Sequence, residues 1–331
     1  MRHVFIVHSN ITFLIAKLII EFERINLSDV ILILHRNFSV PEEIGCEVLE
    51  LDEFIPTKNF ISNYFLYKKL ETNIIQKINS KFKLYVPHLM DTRFLYLISH
   101  EQCYKFSFIE EGSINYKNDI NLYKSNRVGF LRKMLYRIKY IPKGLAEYVS
   151  KSSWFILEDQ KLDKSYVFSN DSLYPITNKH VFQLETSSKS LGQYDCIIVF
   201  DALSIYNIIS FEEMMDLLTM QIIPHVKERG YFNAAFKLHP EHWTKKGEIE
   251  ASEIRRYFNS IDIKIIELPK NFEVETYMSL FDCSIYTFVS SLSLYANLFN
   301  VPSYTVFDRV SKLNNKIDSS AYSYLKKSIN I

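Results

Sequence analysis

Short apolar runs alternate with longer segments of helical periodicity along the first third of the chain. The runs are rich in valine, isoleucine, leucine and phenylalanine, which is typical of buried strands. Strands are predicted at 3–7, 30–34, 81–86 and 105–109, with a helix at 11–24 and a further segment at 90–100 between them. This rhythm indicates βαβ units and a parallel sheet.

The same alternation restarts in the second half of the chain. Gly230 comes just after Arg229 at the end of the longest helical pattern of this half, as a glycine at a helix C-terminus does. Residues 158–193 separate the two series and are polar, which is typical of a linker between domains. Strands are predicted at 196–200, 231–238, 263–268, 283–289 and 303–307, and helices at 211–228, 273–280 and 292–299.

The two series predict two doubly wound α/β domains. We assign residues 1–157 to an N-terminal Rossmann-like domain, 158–193 to the linker region and 194–318 to a C-terminal Rossmann-like domain. Within the remaining segment 319–331, a last helix at 319–327 is expected to pack back on the N-terminal domain. Two such domains facing each other across a cleft form the GT-B architecture, which many nucleotide-sugar transferases share. Ligands of such sheets bind beyond the carboxyl ends of the strands, so the residues after each strand are the informative ones.

Composition and charge narrow the classes of function. Hydrophobic residues make up 47% of the 331 residues and charged residues 23%, as in globular proteins with a large core. The 39 basic and 38 acidic residues give a formal net charge of +1, so no overall field favours nucleic acid. The four cysteines are scattered without metal-ligand spacing, which predicts reduced thiols in a cytosolic protein. The first apolar runs are too short and too charged for a signal peptide or a spanning helix, so a cytoplasmic location is expected.

Two glutamates and a glycine follow the strand predicted at 105–109. These residues are Glu110, Glu111 and Gly112, in a chain with only seven glycines. Like charges at a strand end repel each other, so the pair needs a physical reason. Either the turn is solvated and without function, or one carboxylate is presented as a general base.

Three strand ends of the second half carry polar residues suited to a nucleotide. His239 precedes Pro240, which favours an extended backbone at the strand exit, and its imidazole can donate to a phosphate near neutral pH. Glu267 ends the next strand and can accept from ribose hydroxyls. Ser290 and Ser291 open a helix, where hydroxyls and backbone N–H groups can bind phosphate. Each also has an ordinary interpretation, as a loop histidine, a solvated acid and a helix cap.

Taken together, these motifs resemble those of bacterial sialyltransferases of the GT-B type. The acidic-acidic-glycine motif, the HP motif and the late serine pair of those enzymes correspond to Glu110-Glu111-Gly112, His239-Pro240 and Ser290-Ser291. The nearest likenesses are to the lipooligosaccharide and capsule sialyltransferases of glycosyltransferase family 52 and to the bacterial polysialyltransferases. Two glutamates in the first motif resemble the polysialyltransferase variant, since many sialyltransferases have aspartates there. The resemblance covers the domain plan of the whole chain through short motifs.

The resemblance implies a reaction and a base. Sialic acid would pass from CMP-sialic acid to a terminal sugar of a lipooligosaccharide or capsular polysaccharide, with inversion at the anomeric carbon. Glu111 would deprotonate the acceptor hydroxyl as general base. Glu110 would support it, either through like-charge repulsion or by holding the acceptor sugar.

The resemblance also implies a set of donor-binding residues. His239 would stabilise or protonate the departing CMP phosphate, with Pro240 beside it and Ser290 and Ser291 on the phosphate oxygens. Glu267 would accept from the cytidine ribose. No cofactor is expected besides the donor substrate, and no essential metal, in keeping with a sequence that contains no Asp-x-Asp motif.

A basic segment from Lys124 to Lys151 carries eight lysines and arginines interleaved with aromatic and aliphatic residues. A basic amphipathic helix is typical of a membrane-surface element, which would suit a lipid-linked glycan acceptor at the inner face of the cytoplasmic membrane. The same pattern fits a helix with one core face and snorkelling lysines. Related enzymes include dimers, so the resemblance also allows a homodimer. Two other functions stay open: a GT-B transferase with a CMP-Kdo or nucleoside-diphosphate-sugar donor, and a non-catalytic membrane-surface binding protein.

Overall fold

The chain forms two compact units in the computed structural model, Met1–Gln183 and Leu184–Ile331. The basic segment Lys124–Lys151 lies outside the described residues, and so does the last predicted helix apart from Leu325. Among the described helices, none is long and apolar enough to cross a membrane. The structure describes residues 1–36, 38–40, 44–52, 54, 60–89, 91–116, 160–173, 176–183, 190–314, 325 and 328–331.

The described strands of the first unit form one parallel sheet. They are β1 (Arg2–Val7), β2 (Val30–Leu34), β3 (Glu47–Glu50), β4 (Phe82–Val86), β5 (Cys103–Ile109), β6 (Leu162–Val167) and β7 (Lys179–Val181). Their order in the sheet is β3-β2-β1-β4-β5-β6-β7. The chain thus winds outward from β1 to one edge and then crosses back to build the other edge, as in Rossmann-like folds.

The central strands of this sheet are buried along their whole length, because residues on both faces are covered. One face packs into a continuous apolar core that includes Val4, Ile6, Leu84, Phe106 and Phe108. The helices are α1 (Asn10–Phe22), α2 (Phe60–Leu70), α3 (Gln76–Ile78) and α4 (Thr92–Ser99), with a π turn at Glu71–Ile75 between α2 and α3.

The second unit repeats the design with a second parallel sheet. Its strands are β8 (Ser190–Val199), β9 (Ala234–Lys237), β10 (Ile265–Glu267), β11 (Phe281–Thr287), β12 (Ser303–Thr305) and β13 (Ile329–Asn330). They lie in the order β10-β9-β8-β11-β12-β13. The helices are α5 (Phe211–Leu217), α6 (Ile223–Glu228), α7 (Glu248–Ser260), α8 (Val274–Leu280), α9 (Leu292–Leu298) and α10 (Phe307–Leu313), with a π turn at Leu218–Ile222 between α5 and α6.

Aromatic packing closes the core of the second unit against α7. The rings of Phe236 on β9 and Phe258 on α7 stack with their centroids 4.3 Å apart. Phe200, directly after β8, meets Phe258 edge to face at 6.0 Å. Gly230 ends the predicted long helix in the left-handed conformation, at φ 69°, where glycine carries no steric penalty.

The prediction of two Rossmann-like α/β domains is confirmed by these two parallel sheets. The linker predicted at 158–193 differs from the structure, because β6, β7 and the start of β8 lie within it. The polar composition of this stretch reflects partial exposure: all three residues of the edge strand β7 are only half-buried. That the two units face each other across a cleft stays a prediction.

Candidate active site

Polar side chains follow four strands at the carboxyl edge of the first sheet. His8 comes directly after β1, and His35 directly after β2. His88 follows β4 after one intervening residue, and the two glutamates follow β5. Because carboxyl ends of parallel strands meet at one edge of a sheet, these side chains gather in one place.

Glu110 is the structural member of the acidic pair. Its side chain is 0% exposed. One carboxylate oxygen accepts a hydrogen bond from the hydroxyl of Tyr116 at 2.8 Å, and the other accepts from the backbone N–H of Phe168 at 3.0 Å. Burial next to this carboxylate raises the pKa of Tyr116, which therefore stays a neutral donor. The carboxylate joins the exit of β5 to the exit of β6 and offers no exposed surface to a sugar.

The glycine of the motif has a backbone reason. Gly112 has φ +146°, which side-chain-bearing residues rarely adopt. The side-chain oxygen of Asn115 accepts from the N–H of Glu111 at 2.7 Å and from the N–H of Gly112 at 3.3 Å. These bonds fix the turn that presents Glu111, so the motif extends in practice to the buried Asn115, which the sequence analysis does not single out.

Glu111 points into a small group of imidazoles. Its Oε2 atom lies 3.2 Å from Nε2 of His8 and 3.8 Å from Nε2 of His88, and its side chain is 7% exposed. The distance to His8 is that of an ion pair, but the alignment is not that of a hydrogen bond, and Oε2 has no hydrogen-bond donor among the described residues. A buried carboxylate oxygen without a donor is poised to accept one from a ligand.

The two imidazoles are held from different sides. The backbone N–H of His8 donates to Oγ1 of Thr12, which also closes the capping box at the start of α1. Nε2 of His88 lies 3.3 Å from a guanidinium nitrogen of Arg36, a residue in the left-handed conformation at φ 58°. Burial lowers the pKa of His88 to about 4, although Glu111 opposes the change, so His88 is neutral at pH 7.

A second layer of polar contacts braces this edge of the sheet. Nδ1 of His35 lies 2.6 Å from a carboxylate oxygen of Asp52. Arg93 on α4 binds the carboxylate of Asp91 at 2.6 Å and donates to the carbonyl of Leu51 at 3.1 Å. Burial lowers the pKa of His35, against the hydrogen bond to Asp52. These groups satisfy one another, which marks them as scaffold around Glu111.

In the second unit, the HP motif forms the predicted strand exit. His239 has extended backbone angles, φ −64° and ψ 148°, and Pro240 begins a short 3-10 turn at Pro240–Trp243. Nδ1 of His239 accepts from the N–H of Glu241 at 3.2 Å. The ring proton of the neutral form is therefore on Nε2, which is a hydrogen-bond donor. Burial lowers the pKa of His239, with the nearby Glu241 opposing it, so the neutral ring prevails at pH 7.

The two serines after β11 differ in what they bind. The hydroxyl of Ser290 hydrogen-bonds to the carboxylate of Asp201 and accepts from the N–H of Leu292 at 3.3 Å. Val289 also donates to Asp201, at 2.8 Å. Burial raises the pKa of Asp201 to about 6, and these hydrogen bonds oppose the rise. Ser291 is the N-cap residue of α9 and makes no side-chain cap bond, so its hydroxyl is the better candidate for a ligand.

Glu267 lies at the end of β10 and is paired with Arg255. Two bonds of 2.8 Å join the guanidinium of Arg255 on α7 to the two carboxylate oxygens. Such a bidentate pair orients the carboxylate, and each oxygen keeps a lone pair for a further donor. The sequence analysis predicts the acid at this strand end but not its arginine.

The structure thus brings Glu110 and Glu111 together in the first unit and His239 and Pro240 in one turn of the second. Ser290 and Ser291 come after β11 of that same second sheet, and Glu267 is the last residue of β10. Within the described residues, no group of histidine, cysteine and acidic side chains could hold a metal ion.

Several solved structures are similar to this chain over nearly their full length. The UDP-GlcNAc 2-epimerase of Methanocaldococcus jannaschii matches 100% of this chain and 88% of its own, at 12% identity and a TM-score of 0.49. The wall teichoic acid polymerase TagF matches 98% and 82%, at 10% identity and a TM-score of 0.45. The lipopolysaccharide-biosynthesis glycosyltransferase WaaG matches 99% and 85%, at 9% identity and a TM-score of 0.39. No family model matches the sequence, and no curated protein matches it. Likenesses of this size assign no activity to the chain.

Replacing Glu110 by glutamine should loosen the turn after β5. The amide would keep one acceptor oxygen and would place its NH2 group against a buried donor, which costs about 1–3 kcal/mol of local stability. Native-state hydrogen exchange should show faster exchange at the Phe168 amide. Glu101→Gln, an exposed carboxylate just before the start of β5, is the matched control and should leave that amide protected. Unchanged exchange in Glu110→Gln would contradict the structural role.

The buried imidazole of His88 should make the protein sensitive to acid. Its folded pKa of about 4 lies below the unfolded value of 6.5, so the unfolded state binds the proton more readily between these pH values. Stability present above pH 6.5 should fall as the pH drops towards 4, by an amount on the order of 3 kcal/mol from this group. The melting temperature of His88→Gln minus that of the wild type should therefore rise from pH 7 to pH 4. A difference that does not change with pH would contradict the assignment.

Proposed function

We propose that this protein is a sialyltransferase that moves sialic acid from CMP-sialic acid to a hydroxyl of a bacterial lipooligosaccharide or capsular glycan. The observation that carries the proposal is Glu111, a buried carboxylate at a strand exit with an oxygen that no described donor binds. The hydrogen bonds that the Asn115 side chain accepts from the turn preorganise it, which a solvated turn would not need. The same proposal includes contact with a membrane surface through residues 124–151 and transfer that does not require a metal ion.

Glu111 is suited to act as the general base. The acceptor hydroxyl would give its proton to the carboxylate while its oxygen forms a bond to the anomeric carbon. The bond between that carbon and the donor phosphate oxygen would break, and CMP would leave with the electron pair. His8, with Nε2 at 3.2 Å from the carboxylate, lies where it can share the proton afterwards. Glu110 supports this by holding the turn and not by touching the sugar.

The residues at the strand exits of the second unit suit the donor. The Nε2–H of His239 would donate to the departing phosphate, and the hydroxyl of Ser291 would bind another phosphate oxygen. Ser290, through its bond to Asp201, would hold the serine turn in place. Pro240 would fix the exit of the histidine strand.

Glu267 would accept from a ribose hydroxyl of the same donor. Its two oxygens already accept from Arg255 at 2.8 Å, which fixes the plane of the carboxylate. The ribose would use the remaining lone pairs.

CMP should raise the melting temperature of the protein more than UDP or GDP does, since a ligand that binds the native state stabilises it by mass action. At a concentration of about a hundred times Kd the gain is about 2.7 kcal/mol. A second measurement compares the rates at which the protein hydrolyses CMP-sialic acid, CMP-Kdo and UDP-sugars, with nucleotide release as the readout. CMP-sialic acid should be hydrolysed fastest. Equal shifts from all nucleotides, or preferred hydrolysis of another donor, would overturn the sialyl part of the proposal and leave a transferase of another donor.

Glu111→Gln and His239→Ala should separate the two halves of the mechanism. Glutamine keeps the shape of Glu111 but cannot take the proton, so transfer should fall about a hundredfold or more, with CMP affinity unchanged. His239→Ala should lower both transfer and CMP affinity, because it removes a phosphate contact. Glu101→Gln should behave as the wild type. Transfer at wild-type rates by a folded Glu111→Gln variant would show that the base is another residue.

A further inference from the structure

An exposed tryptophan stands on the turn that carries His239. Trp243 is the last residue of the 3-10 turn after β9 and is 41% exposed, while the preceding His242 is 1% exposed. The turn is rigid: the N–H of His242 donates to the carbonyl of His239 at 2.9 Å, and Thr244 binds the carbonyl of Glu241 through both its N–H and its hydroxyl. The indole therefore leaves apolar ring surface in water on a turn closed by hydrogen bonds, where a planar ligand could cover it.

The indole is part of a three-layer arrangement. The guanidinium carbon of Arg255 lies over the ring of Trp243, 5.2 Å from its centroid. The same guanidinium is locked by Glu267 through two bonds of 2.8 Å. The glutamate thus fixes the arginine, and the arginine covers and orients one side of the indole.

These three residues lie at the carboxyl edge of the second sheet, where α/β sheets bind their ligands. β9 and β10 are neighbours in register, with Glu267 paired to Phe236, three residues before His239. A 3-10 turn rises about 2 Å per residue, so Trp243 and His239 are within about 8 Å along the turn. Trp243 is therefore on the same turn as the imidazole that the proposed function assigns to the donor phosphate.

We propose that Trp243, supported by Arg255 and Glu267, is the stacking platform for the nucleobase of the donor. The inference rests on the proposed function and adds the residue that binds the base. Aromatic stacking accepts any base, because every base has a π face. Trp243 thus contributes affinity for the nucleotide and leaves the choice of base to other groups.

The chain offers an internal reporter for this platform. It contains two tryptophans, Trp154 and Trp243. In the Trp154→Phe variant the indole of Trp243 is the remaining tryptophan fluorophore. CMP should quench its emission on titration, whereas ribose 5-phosphate, which has the phosphate and sugar but no base, should not. Equal quenching by ribose 5-phosphate would overturn the platform.

Substitutions test the same point through affinity in the full chain. Loss of stacking on one base corresponds to about 1–3 kcal/mol, so Trp243→Ala should weaken CMP binding about 5- to 150-fold. Trp243→Phe should keep most of the affinity, which separates stacking from a folding defect. Phe232→Ala is the matched control, an 86% exposed aromatic residue before the opposite end of β9, and should bind CMP as the wild type does.

The outcomes distinguish the platform from the function on which it rests. If CMP stabilises the wild type and Trp243→Ala binds it with unchanged Kd, the platform is wrong and the donor assignment stands. If no nucleotide stabilises or quenches the wild type, the donor assignment is wrong and the platform falls with it. Base-dependent quenching together with a weakened Trp243→Ala variant supports both.

Discussion

The hydrogen bonds that the buried carboxylate of Glu110 accepts are the interactions on which the candidate site of the first unit depends. A buried carboxylate is tolerated where hydrogen-bond donors surround it. Here the hydroxyl of Tyr116 donates to one oxygen and the backbone N–H of Phe168 donates to the other. Glu110 is held by these bonds, the chain turns sharply at Gly112, and the carboxylate of Glu111 lies beside His8 and His88. The two adjacent acids therefore differ in role. Glu110 stabilises the turn, and Glu111 keeps an oxygen that no described donor binds.

Burial lowers the pKa of a histidine at the candidate edge of each unit. The pKa of His88 and that of His239 are both lowered by burial, each against a nearby glutamate. The neutral imidazole of His88 thus lies beside the carboxylate of Glu111, whereas the neutral ring of His239 has its donor on Nε2. In the proposed reaction, the same physical cause therefore keeps an imidazole neutral at the edge that would receive a proton and at the edge that would bind an anion.

The parts of the site that could be predicted from sequence are those encoded by adjacent residues. The pairs Glu110-Glu111 and His239-Pro240 are visible in the sequence because neighbouring residues impose their own geometry, by repulsion or by the proline ring. His8 and His88 could not be found in this way, since each is a lone histidine in the sequence and Glu111 lies 103 positions after the first and 23 after the second. Arg255 could not be predicted for another reason. Its helix, α7, has a largely polar sequence, and the hydrophobic pattern does not predict it.

The bond from Phe168 to Glu110 joins residues 58 positions apart. A contact across that separation carries a loop-closure entropy that is repaid only when β6 docks beside β5. During synthesis, Glu110, Glu111 and Gly112 are made directly after β5. The amide of Phe168, which binds Glu110, is made only after β6. This anchor consequently forms late, and a chain arrested or truncated before β6 would carry the motif without the bond from Phe168 to Glu110.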